Sequence, residues 1–585
     1  MVMQPQFQTK RPILDAMTER EDTTRIERIS DPLQRNMRLR SLIANECEGI
    51  VRTIQPHTTF AKIKTKGFDI APDHPHPLQW ECPTQPDEGP LAFAVTGLHA
   101  LYTFSVQRWQ WAQGTLYTEV PTELGYMRQR KHIRSMPQEP VYLLFEEGGV
   151  TSRLLVKDIS IRGIGCWMSL EQLKELRQFG KHNATIEWDQ EFFSVHTRIK
   201  HVSRSQTDDR TFIGMEVFPQ ENEDLWHELW EESAHPHTQA GQTWIEDHWD
   251  LFLASGFFHL SNKQPTDFSQ LKKQFSQASQ IFDQHPELGC QSVWPSERGV
   301  EATVSTMKMY EKAWLIYQVA KYKKNEGIPF PGRHILRSIF LRAMEHPTIH
   351  DEDCDWIVAF SEAHIKWNKA MLVDFADKYA SVDWGYSTAF HLMEGSAVTL
   401  PTLPTKGLKI SRATEDERAI VLQKLQQQYP IAYTQPLDLC EERFMLPTLT
   451  SSWQDVGLQR HRDMLVAKRG GQIVACAALE CGSIGTSLFG LSDSVRCYSL
   501  APSGRQAYPA LLESCREWFA SRGHTRFLYI NELSQTDHAT QLGFKDLGKG
   551  YFFTLSKHII PDILEHIYQM SASGHVPQLL LENNA

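Results

Sequence analysis

Three things are missing from this sequence, and each absence excludes a class of protein. No uninterrupted apolar run approaches the ~18 residues that a membrane-spanning helix needs, so direct membrane insertion is not expected. The ten cysteines (47, 82, 166, 290, 354, 440, 476, 481, 497 and 515) are scattered with no CxxC pair. That spacing excludes a zinc ribbon or a disulfide framework and fits reduced thiols, so a cytoplasmic location is expected. Positive charge is not in excess either: the 585 residues carry a formal net charge of −11, and no nucleic-acid partner is expected. The opening Met1-Val-Met-Gln-Pro-Gln-Phe-Gln8 has no apolar core, so no signal peptide is expected. A GxSxG elbow, an HExxH pair and a Walker A lysine are also absent, which leaves catalytic residues unknown. His74 and His76 near Cys82, like His235 and His237, lack the second clustered pair that a zinc site wants, and no metal is expected.

Against the acidic background, one stretch is basic. Between Leu124 and Gln138 lie Arg128, Arg130, Lys131, His132 and Arg134, with no acid. Guanidinium groups four residues apart, as in Arg130 and Arg134, can clamp phosphate oxygens bidentately or stack on a purine. Some two dozen residues later comes Asp158-Ile-Ser-Ile-Arg-Gly163. A carboxylate can accept both hydrogen bonds from the N1–H and N2–H edge of guanine, and glycine permits close backbone approach. Paired arginines with an Asp/Ser edge reader suit an anionic guanine nucleotide.

Together, Arg130/Arg134 and Asp158/Ser160/Gly163 resemble the RxxxR and (D/N)xSxxG signature of the PilZ domain, the bacterial receptor module for cyclic di-GMP. The resemblance runs from about Pro121 to Phe218. It implies a six-stranded antiparallel barrel with cyclic di-GMP as ligand. Arg130 and Arg134 would grip guanine faces and phosphates, Asp158 and Ser160 would read the guanine edge, and Gly163 would hold the turn. Lys131 stands where many members carry a second arginine; it keeps the charge and loses the bidentate geometry.

The rest of the chain divides by composition and periodicity. Residues 1–36 read as a mobile tail or isolated helix, and 37–120 as a small β-barrel with strands at Ile50–Ile54, Leu91–Val95 and Ala100–Val106. That barrel is similar to the companion preceding the ligand barrel in flagellar-brake PilZ proteins. The ligand-binding barrel occupies 121–222, with helical spacing at Leu170–Phe179. Residues 223–243 are a helix and linker, with Leu225, Trp226, Leu229 and Trp230 on one face. In 244–400, Phe252–Leu260 reads as a strand, Phe268–Phe282 and Tyr310–Tyr322 as helices, and Thr399–Pro404 as a linker. Residues 561–585 are a C-terminal helix and tail.

Residues 401–560 order a helix (Ala413–Tyr429), a hairpin around Arg469-Gly-Gly471, a strand (Val495–Leu500), a helix (Tyr508–Arg522) and a strand (Thr525–Ile530). Leu542-Gly-Phe544 precedes a last strand. This order is similar to the GNAT acyltransferase fold, and 244–400 reads as a more distant copy. The expected architecture is therefore multidomain: two small antiparallel barrels, the second PilZ-like, then an α/β GNAT-like region in two copies. That family cradles coenzyme A pyrophosphate on the backbone N–H groups of a glycine-rich turn. Leu500-Ala-Pro-Ser-Gly-Arg-Gln-Ala-Tyr-Pro509 does not match it, since Pro502 has no N–H and Tyr508 replaces a small residue; this counts against coenzyme A as a cofactor. Glu301, Glu362, Glu480, Glu532 and Tyr551 lie by predicted strands where a general base could act, although such residues are more often satisfied polar groups.

The sequence thus reads as a bacterial signal-transduction protein, a cyclic di-GMP receptor with a C-terminal output unit. The alternatives are a cyclic di-GMP-regulated N-acyltransferase and a non-catalytic interaction protein with a partner in motility or envelope control.

Overall fold

The computed structural model describes residues 27–30, 47–54, 60–68, 77–96, 100–128, 135–137, 139–147, 150–169, 181–204, 210–241, 244–258, 268–297, 299–323, 332–398, 407–533 and 536–572, with isolated positions between 32 and 42 and Gln172. The chain forms two compact units that divide at Pro236/His237. Among the described residues, no helix is long and apolar enough to cross a membrane, and all ten cysteines are free thiols.

The first unit begins with a nine-stranded antiparallel sheet between Glu27 and Arg128. The strands expected near Ile50, Leu91 and Ala100 are Glu48–Thr53, Leu91–Thr96 and Ala100–Val106, which lie side by side in it. Its interior is aromatic: the Phe93 and Phe104 rings stack at 4.7 Å, and Trp80 lies 5.2 Å from Phe93. Residues read as part of a mobile tail contribute a strand, Glu27–Ile29, paired with Leu124–Tyr126. Three residues are too few to show a period in sequence, so only the partner strand reveals them.

Six further strands close into a barrel: β1 (Tyr142–Glu147), β2 (Val150–Ser160), β3 (Gly163–Ser169), β4 (Lys181–Trp188), β5 (Glu191–Arg204) and β6 (Arg210–Phe218), in the order β1-β2-β3-β6-β5-β4. Alternation sends Leu154, Val156, Ile159, Ile164, Cys166, Met168, Ile213 and Met215 inward, all under 6% exposed. The β4–β5 hairpin closes on Asp189 and Gln190, both at positive φ (44° and 68°), the geometry that matches strand twist in a two-residue turn. Helix α1 (Glu223–Ala234) buries Trp226 and Leu229 against the barrel core, as its apolar face implies. Of Leu170–Phe179, expected to be helical, all but Gln172 lie outside the described residues, as do Thr399–Pro404.

The second unit is built on one twelve-stranded sheet. Its strands are β7 (Gln239–Ala240), β8 (Gly289–Ser296), β9 (Gly299–Tyr310), β10 (Ala313–Lys321), β11 (Trp356–Glu362), β12 (Gly385–Ser396), β13 (Leu408–Arg412), β14 (Arg460–Arg469), β15 (Gln472–Gly482), β16 (Ser494–Ser499), β17 (Arg526–Asn531) and β18 (Lys545–Ser556). Their order is β7-β8-β9-β10-β11-β18-β12-β17-β16-β15-β14-β13, so the strand order of one half is repeated, reversed, in the other. Each half contains one parallel pair, β10/β11 and β16/β17. The last strand of each half sits inside the other: β18 pairs with β11, β12 pairs with β17, and the two exchanged strands pair together from Gly385↔Leu555 to Glu394↔Lys545.

Two local expectations are corrected here. Residues Phe252–Leu260, read as a strand, belong up to Ser255 to helix α2 (Ile245–Ser255), which Gly256 terminates at φ 78°. Tyr310–Tyr322, read as a helix, is the turn at Glu311–Lys312 followed by strand β10. Ala313–Tyr317 are all under 8% exposed. A strand covered on both faces is apolar at consecutive positions and cannot be told from a buried helix by pattern.

Candidate functional site

The site lies on the outer surface of the six-stranded barrel. Inward-facing Val156 and Ile159 are three residues apart because a bulge interrupts the β2–β3 ladder between Val156 and Asp158. The extra residue turns Asp158 and Ser160 to the outer face, opposite Gly165 and Gly163. Asp158 is half-buried and Ser160 is 6% exposed. The Ser160 hydroxyl donates to the Gly163 carbonyl at 3.2 Å, pinning the Ile161–Arg162 turn.

Both glycines keep space that a side chain would fill. A Cβ on Gly163 would lie 2.9 Å from the Met215 carbonyl oxygen, a backbone atom that cannot swing away. One on Gly165 would lie 2.4 Å from Asp158 Oδ1 and 2.6 Å from Phe212 Cζ. Gly165 therefore makes the space that the Asp158 carboxylate occupies. Sequence reasoning passed over it, although the Gly163-Ile-Gly165 alternation on one strand face was a usable signal. Opposite Gly165 on β6 is Gly214, so a glycine floor runs across two strands. One wall is Trp167, edge-on to Phe212 at 5.2 Å with Lys157 Nζ 5.6 Å above its ring. On the other side, Arg198 Nε and Lys200 Nζ each reach Glu216 Oε2 at 3.0 Å. Partial burial pushes the Glu216 carboxyl up, but those two cations outweigh it and hold it below the usual carboxylate range. Cys166, facing inward beneath the floor, has its thiol pushed well up by burial and then by the Asp158 charge, and is an inert core residue.

Arg130, Lys131 and Arg134 lie outside the described residues. The residue after Arg134 does not. Ser135 bridges Ile159, its N–H donating to the Ile159 carbonyl and accepting the return bond at its own, both 2.8 Å. The chain leaving the basic stretch is thus fastened to β2 between Asp158 and Ser160. A second support comes from α1, whose Trp226 indole N–H donates to the Ile161 carbonyl at 2.7 Å.

The other candidates divide. Glu301 is fully buried in β9. Glu362 has His364 Nδ1 3.3 Å away. Glu480 is enclosed by arginines: Arg460 Nη2 at 2.6 Å and Arg462 Nη2 at 3.2 Å, with the Tyr310 hydroxyl donating to it at 3.2 Å. Burial raises the Glu480 carboxyl, but the charges of Arg462, Arg460 and Arg496 pull it below its ordinary value, so it is an ion-pair partner and unsuited to act as a base. Glu532 is pushed up by burial against the opposing pull of Arg496, and it accepts the Tyr433 hydroxyl at 3.0 Å. Tyr551, half-buried in β18, pairs with Ser361 and Ala389 in the ladders. His74 and His76 lie outside the described residues, while Cys82 is buried with its thiol donating to the Thr84 carbonyl at 3.0 Å. The His235 ring meets Trp230 edge-on at 5.7 Å, and His237 lies 5.2 Å from Trp294.

In the second half of the large sheet, β16 and β17 pair only at Ser494↔Leu528 and Val495↔Tyr529 before diverging. The Tyr433 hydroxyl spans the divergence, bonded to Tyr498 on one side (3.2 Å) and Glu532 on the other. The turn Leu500–Pro509 runs into a short 3-10 segment and then the helix Tyr508–Ala520, with Pro509 in its first turn.

The chain thus combines a closed six-stranded barrel with a twelve-stranded sheet. No family model matches it. No curated protein matches it in sequence. Among solved structures it is similar to the MrkH–c-di-GMP complex of K. pneumonia, at 13% identity over 36% of this chain and 96% of that one, TM-score 0.29. It is similar also to YcgR in complex with c-di-GMP from Escherichia coli, at 14% identity over 34% of this chain and 88% of that one, TM-score 0.26. A GCN5-related N-acetyltransferase from Sphaerobacter thermophilus is similar at 12% identity over 55% of this chain and 96% of that one, TM-score 0.33. Likeness at these identities is one of fold.

Proposed function

We propose that the barrel is a receptor for cyclic di-GMP and that the second unit is the output it controls. The observation that carries this reading is the Ser135–Ile159 bridge, which fastens the chain one residue beyond Arg134 between Asp158 and Ser160. Ser135, the residue after the first signature half, thereby lies beside the second half. Arg130 and Arg134 clamp phosphates and stack on guanine, with Lys131 adding charge. Asp158, in the space left by Gly165, accepts from the guanine N1–H and N2–H edge. Ser160 and Gly163 hold the turn, and Trp167 offers an aromatic face. Non-catalytic output is favoured over acyl transfer, because Tyr433 bridges the divergence of β16 and β17 where a donor would have to enter.

Calorimetric titration of the full chain with cyclic di-GMP tests the reading, with Arg134→Ala and Asp158→Ala alongside. Saturable binding that both substitutions abolish is expected. A wild-type chain that shows no heat at high micromolar nucleotide would overturn it.

A further inference from the structure

The second unit contains a cavity that the nucleotide reading does not use. It lies where β16 and β17 are still paired, at the end away from the divergence that Tyr433 spans. Its volume is about 300 Å³. The helix Phe268–Gln284, the loop that joins β15 to β16 and the turn that leads into β17 line it. The loop is held in place. Gly485, at φ 98°, comes so close to the helix that a Cβ would stand 2.4 Å from the Gln274 carbonyl, and the Tyr317 hydroxyl donates to the Thr486 carbonyl at 2.6 Å. The cavity is therefore preformed, and its size lies at the small end of the range for metabolite sites.

Two pairs of opposite charge line this cavity. Arg526 Nη1 lies 3.4 Å from Glu394 Oε2, and His524 Nδ1 lies 3.7 Å from Asp493 Oδ2. Both distances exceed the ~2.7–2.9 Å of a charge-assisted hydrogen bond, so neither pair is closed. All four side chains are open to an occupant: Arg526 is 41% exposed, Glu394 32%, Asp493 13% and His524 10%. Asp493 is anchored from behind, its Oδ1 accepting the Gly482 N–H at 3.0 Å. The imidazole of His524 can donate a hydrogen bond in either protonation state. Leu271, Ile484, Leu488, Phe489 and Phe527 supply an apolar wall, with Ile484 half exposed.

We infer that this cavity binds a small zwitterion with an apolar body, the chemistry of an apolar α-amino acid, its carboxylate received by Arg526 with His524 as a second donor, and its ammonium by Glu394 and Asp493. The open pairs set the first limit. A ligand with a single charge gives a partner to one member of a pair and takes water from the other, whereas a ligand with both signs completes both members. The apolar wall sets the second limit, because a polar body would lose its hydration there with nothing in return. Size sets the third: an apolar cavity of ~150 Å³ takes benzene, so about twice that volume holds one ring and both charged arms. The site is independent of the nucleotide reading.

The test uses the full chain and three probes that share one ring: L-phenylalanine, 3-phenylpropionate, which lacks the ammonium, and phenethylamine, which lacks the carboxylate. Binding is followed by ligand-detected NMR and by the shift in thermal midpoint. Each analogue is expected to bind about 10- to 150-fold more weakly than phenylalanine, the range of one hydrogen bond to a charged group. Arg526→Gln is expected to erase the advantage of phenylalanine over phenethylamine and to keep its advantage over phenylpropionate. Glu394→Gln is expected to do the reverse. Both side chains are about a third exposed or more, so neither substitution disturbs the core. An analogue that binds the wild type as tightly as phenylalanine, or no binding of phenylalanine at millimolar concentration, overturns the inference. So does a variant in which the two advantages persist or fall together.

Discussion

Gly165→Ala is the substitution that tests the geometry of the proposed nucleotide site most directly. Gly165 has no counterpart among the residues that the signature names, so its importance rests on the structure alone. A methyl group there would meet Asp158 Oδ1 at 2.4 Å and Phe212 Cζ at 2.6 Å, both below any tolerable contact. Neither is a backbone atom, so the strands keep their pairing and the side chains give way. Overpacking of this kind costs about 1–3 kcal/mol of stability. The larger effect falls on binding, because the carboxylate that must move is the one proposed to accept from guanine. Displacing it forfeits charge-assisted hydrogen bonds worth about 2–4 kcal/mol in total, a loss of roughly 30- to 700-fold in affinity. Titration calorimetry with cyclic di-GMP reads the affinity, and circular dichroism verifies the barrel. A Gly165→Ala protein that is folded and binds with wild-type affinity would refute the role given to Asp158.

Three further outcomes are expected. Trp226→Phe keeps most of the buried ring but leaves the Ile161 carbonyl without its 2.7 Å donor. It should lower the denaturation midpoint of the barrel by the equivalent of about 1–3 kcal/mol and weaken nucleotide binding, since that carbonyl lies in the turn between Ser160 and Gly163. Glu480→Gln removes the carboxylate shared by Arg460 and Arg462, both under 5% exposed, and should destabilise the second unit by about 3–5 kcal/mol in thermal melts. An unchanged melt would mean that the network contributes nothing net. His248 supplies a pH dependence. Burial lowers its pKa to about 4 against the opposing bond to the Trp244 carbonyl, so the folded state keeps it neutral while the unfolded chain takes up a proton near 6.5. Stability should therefore fall as pH drops from about 6.5 to about 4, by up to ~3 kcal/mol. Urea denaturation across that range should show a shallower slope in His248→Gln.

The proposed nucleotide signature could be read because it is local in its parts. Asp158, Ser160 and Gly163 sit within six residues, and strand geometry fixes their relation once the turn forms. Helix α1 was legible for the same reason, since Trp226 and Leu229 declare one face through spacing alone. The misreading of Tyr310–Tyr322 came from burial on both faces, which erases the alternation that marks a strand. Glu480 was a candidate base in sequence, where Arg460 lies 20 residues before it. Only tertiary packing brings Arg460, Arg462 and the glutamate together out of water, where each cancels the others' cost of burial.

The sequence by itself determined most of the strands and helices, because those depend on periodicity and on neighbours a few residues away. Only the tertiary structure decided the exchange of β12 and β18 between halves and the space under Asp158 at Gly165. Each of these depends on which distant segments come to lie side by side, as Gly385–Ser396 does with Lys545–Ser556 across some 150 intervening residues. Local propensity carries no record of such pairings; they are chosen by the burial of the whole sheet at once.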